Sequence, residues 1–195
     1  MGWDSIDNSI TRATGKAFRA GARNPVGGGC INAAFALEGA GRRYFLKRNE
    51  CALLHMFEAE AAGLRALGGT QCLRVPEPLA TGSDAEHSWI VLEYIPLVAP
   101  VPAAEEELGR QLAALHRNTA PAFGFYGDNY IGSTPQFNAW TERWTTFLSE
   151  RRLGYQLELA ASNGASISLI DRGHRLLEQL TTFFHSYSPQ ASLLH

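Results

Sequence analysis

The sequence is poor in cysteine: Cys30, Cys51 and Cys72 are its only three in 195 residues, and no two are spaced as Cys-x-x-Cys. An odd, scattered set excludes a disulfide framework and a cysteine-based zinc site, and it fits a reducing, cytoplasmic location. Long apolar runs are also missing. No segment approaches the ~18 consecutive apolar residues of a membrane-spanning helix. Residues 1–16 carry Asp4, Asp7, Arg12 and Lys16 where a signal peptide needs an unbroken apolar stretch. Charge of one sign is not in excess: 17 Lys and Arg against 19 Asp and Glu leave a net charge of -2. No surface for nucleic acid or for a membrane is therefore expected. What is present is 45% hydrophobic side chains, enough to bury one core or two small lobes.

The pattern along the chain predicts an α+β protein. Trp3, Ile6, Ile10 and Ala13 recur at helical spacing and predict an amphipathic helix ending near Gly15. Residues 18–26, 31–37 and 42–47 read as three antiparallel strands, separated by Gly27-Gly28-Gly29 and by Glu38-Gly39-Ala40-Gly41. Residues 55–67 form a second helix with Met56, Phe57, Glu60, Leu64 and Leu67 on one stripe, leaving by Gly68-Gly69. Residues 75–78 read as a stiff connector and residues 89–94 as an apolar strand. The expected division is residues 1–95 as a β-rich lobe, 96–104 as a Pro- and Ala-rich hinge, and 105–195 as a helical lobe, with a cleft between the lobes. Within the second half, helices are expected over 105–116, 138–151, 153–161 and 169–187, and a long ordered loop over 119–137.

Three features point to chemistry. The run Gly27-Gly28-Gly29-Cys30-Ile31-Asn32 joins two strands, where flexible backbone lets amide N–H groups approach phosphate oxygens. It lacks the Gly-Lys-Ser/Thr of a Walker A loop, and it enters a strand where a Rossmann loop enters a helix. Read alone, a hairpin turn is the plainer reading. Lys47 ends the run Tyr44-Phe45-Leu46-Lys47, and alternation puts it on the face of Phe45. Glu60 lies on the apolar stripe of the next helix, where a lone carboxylate is costly and an ammonium partner offsets the cost. Lys47 is the partner that fits, with Glu58 expected to point outward; a carboxylate snorkelling to water from the stripe's edge is the alternative. Glu93, Tyr94 and Ile95 follow an apolar strand where the backbone is able to meet an adenine edge, or they are an ordinary strand end.

A glycine loop, a third-strand lysine and a helix glutamate form the protein-kinase arrangement. With Val91-Leu92-Glu93-Tyr94, Leu112-Ala113-Ala114-Leu115-His116-Arg117 and Asp128-Asn129-Tyr130-Ile131-Gly132-Ser133-Thr134-Pro135-Gln136, the chain resembles the fructosamine kinase (ketosamine-3-kinase) family over nearly its whole length. The resemblance implies a protein-kinase-like bilobal fold that uses ATP and Mg²⁺ to phosphorylate a sugar hydroxyl on a glycated amine or protein. It makes Gly27, Gly28, Gly29, Lys47, Glu60, Glu93, Tyr94 and Ile95 nucleotide-binding residues.

In the family, the segment matching Ser192-Leu193-Leu194-His195 leads into a His-Gly-Asp loop with a following Asn, and later an Asp that holds Mg²⁺. Those residues would lie beyond His195, so no catalytic residue and no metal ligand is assigned within the 195 residues, and negligible activity is expected of them alone. An aminoglycoside- or choline-type small-molecule kinase and a non-catalytic nucleotide-binding or redox dimerisation module are the competing readings.

The remaining candidates carry bland alternatives. Cys30 sits in the glycine loop, where amide dipoles lower a thiol pKa. The resemblance implies redox sensitivity there and a redox-dependent homodimer, whereas a small side chain in a tight turn needs neither. Asp128, Asn129 and Gln136 are candidates for contact with the acceptor, or for ordering their own loop. His116 closes a helix as a favourable charge at its C-terminal end. Trp140, Trp144 and Phe147 recur as a core stripe.

Overall fold

A computed structural model describes residues 2–27, 31–99 and 101–194. Two compact units result, one ending at Leu115 and the other running His116–Leu194. The boundary therefore falls beyond the Pro- and Ala-rich stretch 96–104.

The first unit opens with helix α1 (Gly2–Thr14). Ile6 and Ile10, one turn apart, are 1% and 0% exposed and enter the core. Gly15 ends the helix at φ +67°, donating its N–H to Thr11 O at 2.9 Å. Ala13, expected on the buried stripe, is exposed. Asp7 takes a buried place instead, accepting from Ala20 N–H and facing Arg23 at 3.6 Å.

A five-stranded antiparallel sheet follows, built from β1 (Ala22–Val26), β2 (Ala33–Gly39), β3 (Arg42–Glu50), β4 (Pro78–Ser83) and β5 (His87–Glu93). Its spatial order is β1-β2-β3-β5-β4. The β2–β3 hairpin closes through Ala40 at φ +50° and Gly41 at φ +70°, the signs a two-residue turn requires at both central positions.

Alternation along β3 divides the sheet into two faces. Tyr44 and Leu46 join Leu37, Trp89 and Val91 in a core with Ile6 and Ile10 of α1. Phe45 sits on the other face with Ile90 and Leu92, packed against Phe57, Ala61 and Leu64 of helix α2 (Leu54–Gly69). The exit from α2 departs from the sequence expectation. Gly68 and Gly69 stay inside the helix, and Gln71 takes the left-handed conformation at φ +56°.

Strand β4 corrects the reading of residues 75–78 as a connector alone. Pro78 begins an edge strand, where its missing N–H costs no ladder bond. Helix α3 (Pro102–Leu115) likewise starts inside the stretch expected to be linker, with Pro at its first position.

In the second unit, the expected loop 119–137 contains a hairpin of β6 (Asn129–Ile131) and β7 (Thr134–Gln136). The helix expected from residue 138 begins only at Trp144. Here α4 (Trp144–Thr146) runs into an eight-residue π-helical stretch, Phe147–Gly154, and on into α5 (Tyr155–Ser162). Gly154 is required there, because a Cβ would lie 2.5 Å from Ser149 O. Trp140 stands outside the helix and is 51% exposed, whereas Trp144 stacks on buried Phe147 with ring centroids 6.0 Å apart. Helix α6 (Ile167–Phe183) is capped by Ser166, whose Oγ accepts from Leu169 N–H.

Candidate functional site

Lys47 occupies the middle of a row that crosses the sheet: Val26 on β1, Ala34 on β2, Lys47 on β3, Ile90 on β5 and Thr81 on β4 are successive lateral neighbours. Small side chains flank the ammonium on the β1–β2 side, and Val26 is 38% exposed. The surface beside Lys47 is thus low, apolar and open to a flat ligand.

The partner comes from α2. Lys47 Nζ donates to Glu60 Oε1 at 2.7 Å. This is the pairing that the spacing of strand and helix predicts. Glu60 does not sit at the centre of the helix stripe, however. Phe57 and Ala61 are its buried residues, and Glu60 lies on the margin with a side chain 28% exposed against 31% for Lys47. Glu58 is exposed, as expected. A half-exposed ion pair leaves the remaining ammonium protons accessible to an anion, which a fully buried pair would not.

Of the glycine loop only Gly27 is among the described residues; Gly28, Gly29 and Cys30 lie outside them. Gly27 is exposed, with open space where a side chain would stand. The loop's far end is tied down by a residue the sequence reading missed. Asn49, two positions after Lys47, donates from Nδ2 to Asn32 Oδ1 at 2.7 Å and to Ile31 O at 3.0 Å. The end of the loop is thereby fixed to the strand that carries the lysine.

At the end of β5, Glu93 N–H donates to Glu77 O at 2.8 Å, so that amide is committed within the fold. The Glu93 carboxylate pairs with Arg74 at 2.5 Å near the surface. Tyr94 lies beneath the Arg43 guanidinium, 3.9 Å from the ring centroid, and Ile95 follows it, half-buried.

The loop candidates belong to the second unit, and there they build a hydrogen-bond network. Asn138, 3% exposed, is its hub. Its backbone N–H donates to Asp128 Oδ1 at 2.7 Å. Its Nδ2 donates to Asn129 Oδ1 at 2.9 Å and to Gly127 O at 3.1 Å. Its Oδ1 accepts from Arg152 at 2.6 Å, and Arg152 also donates to Phe137 O at 2.8 Å. Burial holds the Arg152 guanidinium below its ordinary pKa, and the nearby Asp128 carboxylate offsets part of that effect. Gln136 faces Asn129 across the hairpin. Asp128 and Asn129 therefore order their loop. Neither Asn138 nor Arg152 was singled out from sequence, since a lone Asn before an aromatic run carries no periodic signal.

Among the described residues, no group of three or more His, Cys, Asp or Glu is arranged to hold a metal. Nor is any helix long and apolar enough to cross a membrane.

Comparison with known proteins gives a consistent result. A family model for fructosamine kinase matches residues 2–195. A protein of Synechocystis sp. named as a probable ketoamine kinase is 45% identical over 159 residues, covering 81% of this chain and 54% of that protein. The chloroplastic protein-ribulosamine 3-kinase of Oryza sativa subsp. japonica is 39% identical over 198 residues, covering 100% of this chain and 57% of that protein. Among solved structures, a Haemophilus somnus protein assigned as a fructosamine-3-kinase superposes with a TM-score of 0.86 at 25% identity, covering 98% of this chain and 64% of that one. An aminoglycoside phosphotransferase solved in ternary complex with ADP and hygromycin B superposes at 0.59 with 16% identity, a likeness of fold alone. The chain thus spans 54%, 57% and 64% of the length of the Synechocystis, Oryza and Haemophilus proteins.

Proposed function

Because this chain belongs to the fructosamine kinase family and has its kinase-like fold, we propose that it provides the ATP-binding part of a kinase for ketosamines. The observation that carries this reading is the Lys47–Glu60 pair, set on an open sheet face beside the small side chain of Ala34. In this reading Lys47 holds the α and β phosphates, and Glu60 restrains the lysine so that its remaining protons point outward. The glycine loop 27–29 covers the phosphates, with its far end anchored through Asn32 and Asn49. The adenine edge meets backbone groups of Tyr94 and Ile95 and the carbonyl of Glu93, since the Glu93 amide is already taken by Glu77.

The acceptor is the sugar hydroxyl of a glycated amine or protein, and ATP supplies the transferred phosphoryl group. The described residues supply no cluster of metal ligands, so no step through Mg²⁺ is assigned to them. Asp128, Asn129 and Gln136 act on the acceptor side by shaping the hairpin that bears them. A cytoplasmic location and a redox-dependent homodimer through Cys30 complete the proposal. The dimer predicts a DTT-sensitive band on a non-reducing gel that Cys30→Ser abolishes; a band that survives the substitution refutes it.

Calorimetric titration of the 195-residue chain with ATP tests the central claim. Saturable binding is expected, weakened at least about ten-fold in Lys47→Ala, the loss of one charge-assisted contact. Equal affinity in that variant rejects the placement of the site.

A further inference from the structure

The Lys47 face of the sheet ends in a polar row that the kinase reading leaves without a task. Alternation along β3 puts Arg43 on the same face as Phe45 and Lys47. Its partner on β2 is Glu38, and Tyr94 comes one place past the last β3–β5 pair, Tyr44 with Glu93. Glu38 Oε1 accepts from Arg43 at 2.9 Å, and the guanidinium carbon stands 3.9 Å from the centre of the Tyr94 ring. The three side chains make one line of contact across the face, from β2 through β3 to the segment leaving β5. Four residues separate Arg43 from Lys47, a span of about 13 Å along a strand. Phosphates held at Lys47 therefore leave the Arg43 row to the far end of a nucleotide, its base.

What this line of contact holds is a stretch of backbone that the sheet does not. Glu93 is still fixed, through its amide to Glu77 O at 2.8 Å and its carboxylate to Arg74 at 2.5 Å. Among the described residues, the backbone of Tyr94 and Ile95 makes no hydrogen bond, and Pro96 has no N–H to donate. Free backbone groups are what a base edge requires. A free segment must also be ordered when the ligand binds, and that ordering lowers affinity. Here a side chain supplies the order beforehand: Tyr94 is half-buried, under a flat cation that Glu38 in turn restrains. Stacking on an aromatic face is a property of the planar guanidinium that a lysine ammonium does not reproduce.

Resting on the ATP-site reading above, we propose that Arg43 is a positioning residue for the nucleobase. Held by Glu38, its guanidinium fixes the Tyr94 ring and with it the backbone of Tyr94 and Ile95 that meets the base. It acts through Tyr94 and touches no phosphate. Two rival roles differ in what they predict. A pair that only supports the fold would affect every ligand alike. A general effect of charge would not reach Lys47, because ~13 Å exceeds the screening length of about 8 Å at physiological salt.

Calorimetry on the 195-residue chain at about 0.15 M salt, with ATP, adenosine and tripolyphosphate as ligands, tests the role. Arg43→Ala should weaken ATP and adenosine about five-fold, the factor one exposed cation–π contact is worth, and leave tripolyphosphate as in the parent. Lys47→Ala should show the other split, with tripolyphosphate and ATP falling together. Arg43→Lys keeps the charge but not the flat stack, and it should recover little of the loss. Tyr94→Leu should reproduce the Arg43→Ala loss, and the double variant should lose no more than either alone. With an Arg43 side chain 47% exposed, Arg43→Ala should unfold close to the parent's Tm. Any of four results overturns the proposal: parental ATP and adenosine affinity in Arg43→Ala, tripolyphosphate falling in step with adenosine, full recovery in Arg43→Lys, or additive losses in the double variant. A parent that binds no ATP, or a Lys47→Ala variant that binds it equally well, removes the ATP site and this role with it. The expected Lys47→Ala loss beside an inert Arg43→Ala removes this role alone.

Discussion

Lys47 Nζ and Glu60 Oε1 stand 2.7 Å apart, joining the third strand to the helix that follows it. With side chains 31% and 28% exposed, the pair is too wet to be a major source of stability, since such contacts contribute ~1 kcal/mol or less. Its consequence is geometric. A lysine has three rotatable donors on a flexible stem, and one fixed acceptor reduces the positions the other two explore.

That distinction separates a stability effect from a binding effect. In Glu60→Gln the folding free energy should change by less than about 1 kcal/mol, while ATP affinity falls about ten-fold as the ammonium loses its charged restraint. Glu58→Gln, on the exposed face of the same helix, should alter neither. Chemical denaturation and calorimetry on the two variants decide the matter. Parallel losses of affinity in both would mean that net charge, and not the pair, governs binding.

The face of each strand was readable because alternation is a strict two-residue period: Phe45 and Lys47 fall on the α2 side, Tyr44 and Leu46 on the α1 side. Features without a period were not readable. Strand β4 carries Pro78 and Gly82 among its six residues, and those read as breakers unless an edge position is already known. The spacing of Trp140, Trp144 and Phe147 suggested a helix from 138. The amide of Asn138 is instead bonded to Asp128, and its carbonyl accepts from Phe125 N–H at 2.9 Å. Tertiary hydrogen bonds of that kind override local spacing. The Glu93 amide teaches the same lesson, for its partner Glu77 is remote enough in sequence to give no local sign.

Removing the hub of the second unit should be expensive. Asn138→Ala would remove the side-chain contacts to Gly127 O, Asn129 and Arg152 while keeping the backbone bond to Asp128, leaving a partly buried guanidinium short of an acceptor. A loss of about 2–4 kcal/mol is expected, from two or more unsatisfied polar groups. Urea denaturation measures it, and hydrogen exchange should show the β6–β7 hairpin opening first. A loss below about 0.5 kcal/mol would mean that water replaces the network without penalty.

Asp84 links stability to acid pH. Its Oδ1 accepts from the N–H groups of Glu86 and His87, each at 2.9 Å, in the β4–β5 turn. Those backbone bonds hold its pKa below the ordinary 3.8, the Glu86 bond contributing most. A carboxylate with a depressed folded pKa contributes stability above its unfolded pKa and loses that contribution as pH falls through the folded one. Asp84→Ala should therefore lower the Tm at about pH 7, and the gap to the parent should narrow toward about pH 3. A gap that stays constant over this range would show that the carboxylate's charge plays no part.

Two glycines make opposite predictions for the same substitution. Gly63 lies inside α2, one turn after Glu60, and a Cβ there would meet nothing within 4 Å. Gly63→Ala should stabilise the protein by roughly 0.5–1 kcal/mol, because alanine loses less backbone entropy on entering a helix. Gly39 ends β2 against the chain entering β1, and a Cβ there would lie 2.1 Å from Arg19 O. A collision with backbone cannot be relieved by turning a side chain, so Gly39→Ala should cost at least about 1–3 kcal/mol. Thermal denaturation of the two variants gives both signs directly. If Gly63→Ala stabilises the helix that holds Glu60, its ATP affinity should equal or exceed the parent's; a lower affinity would mean that the lysine needs a mobile partner.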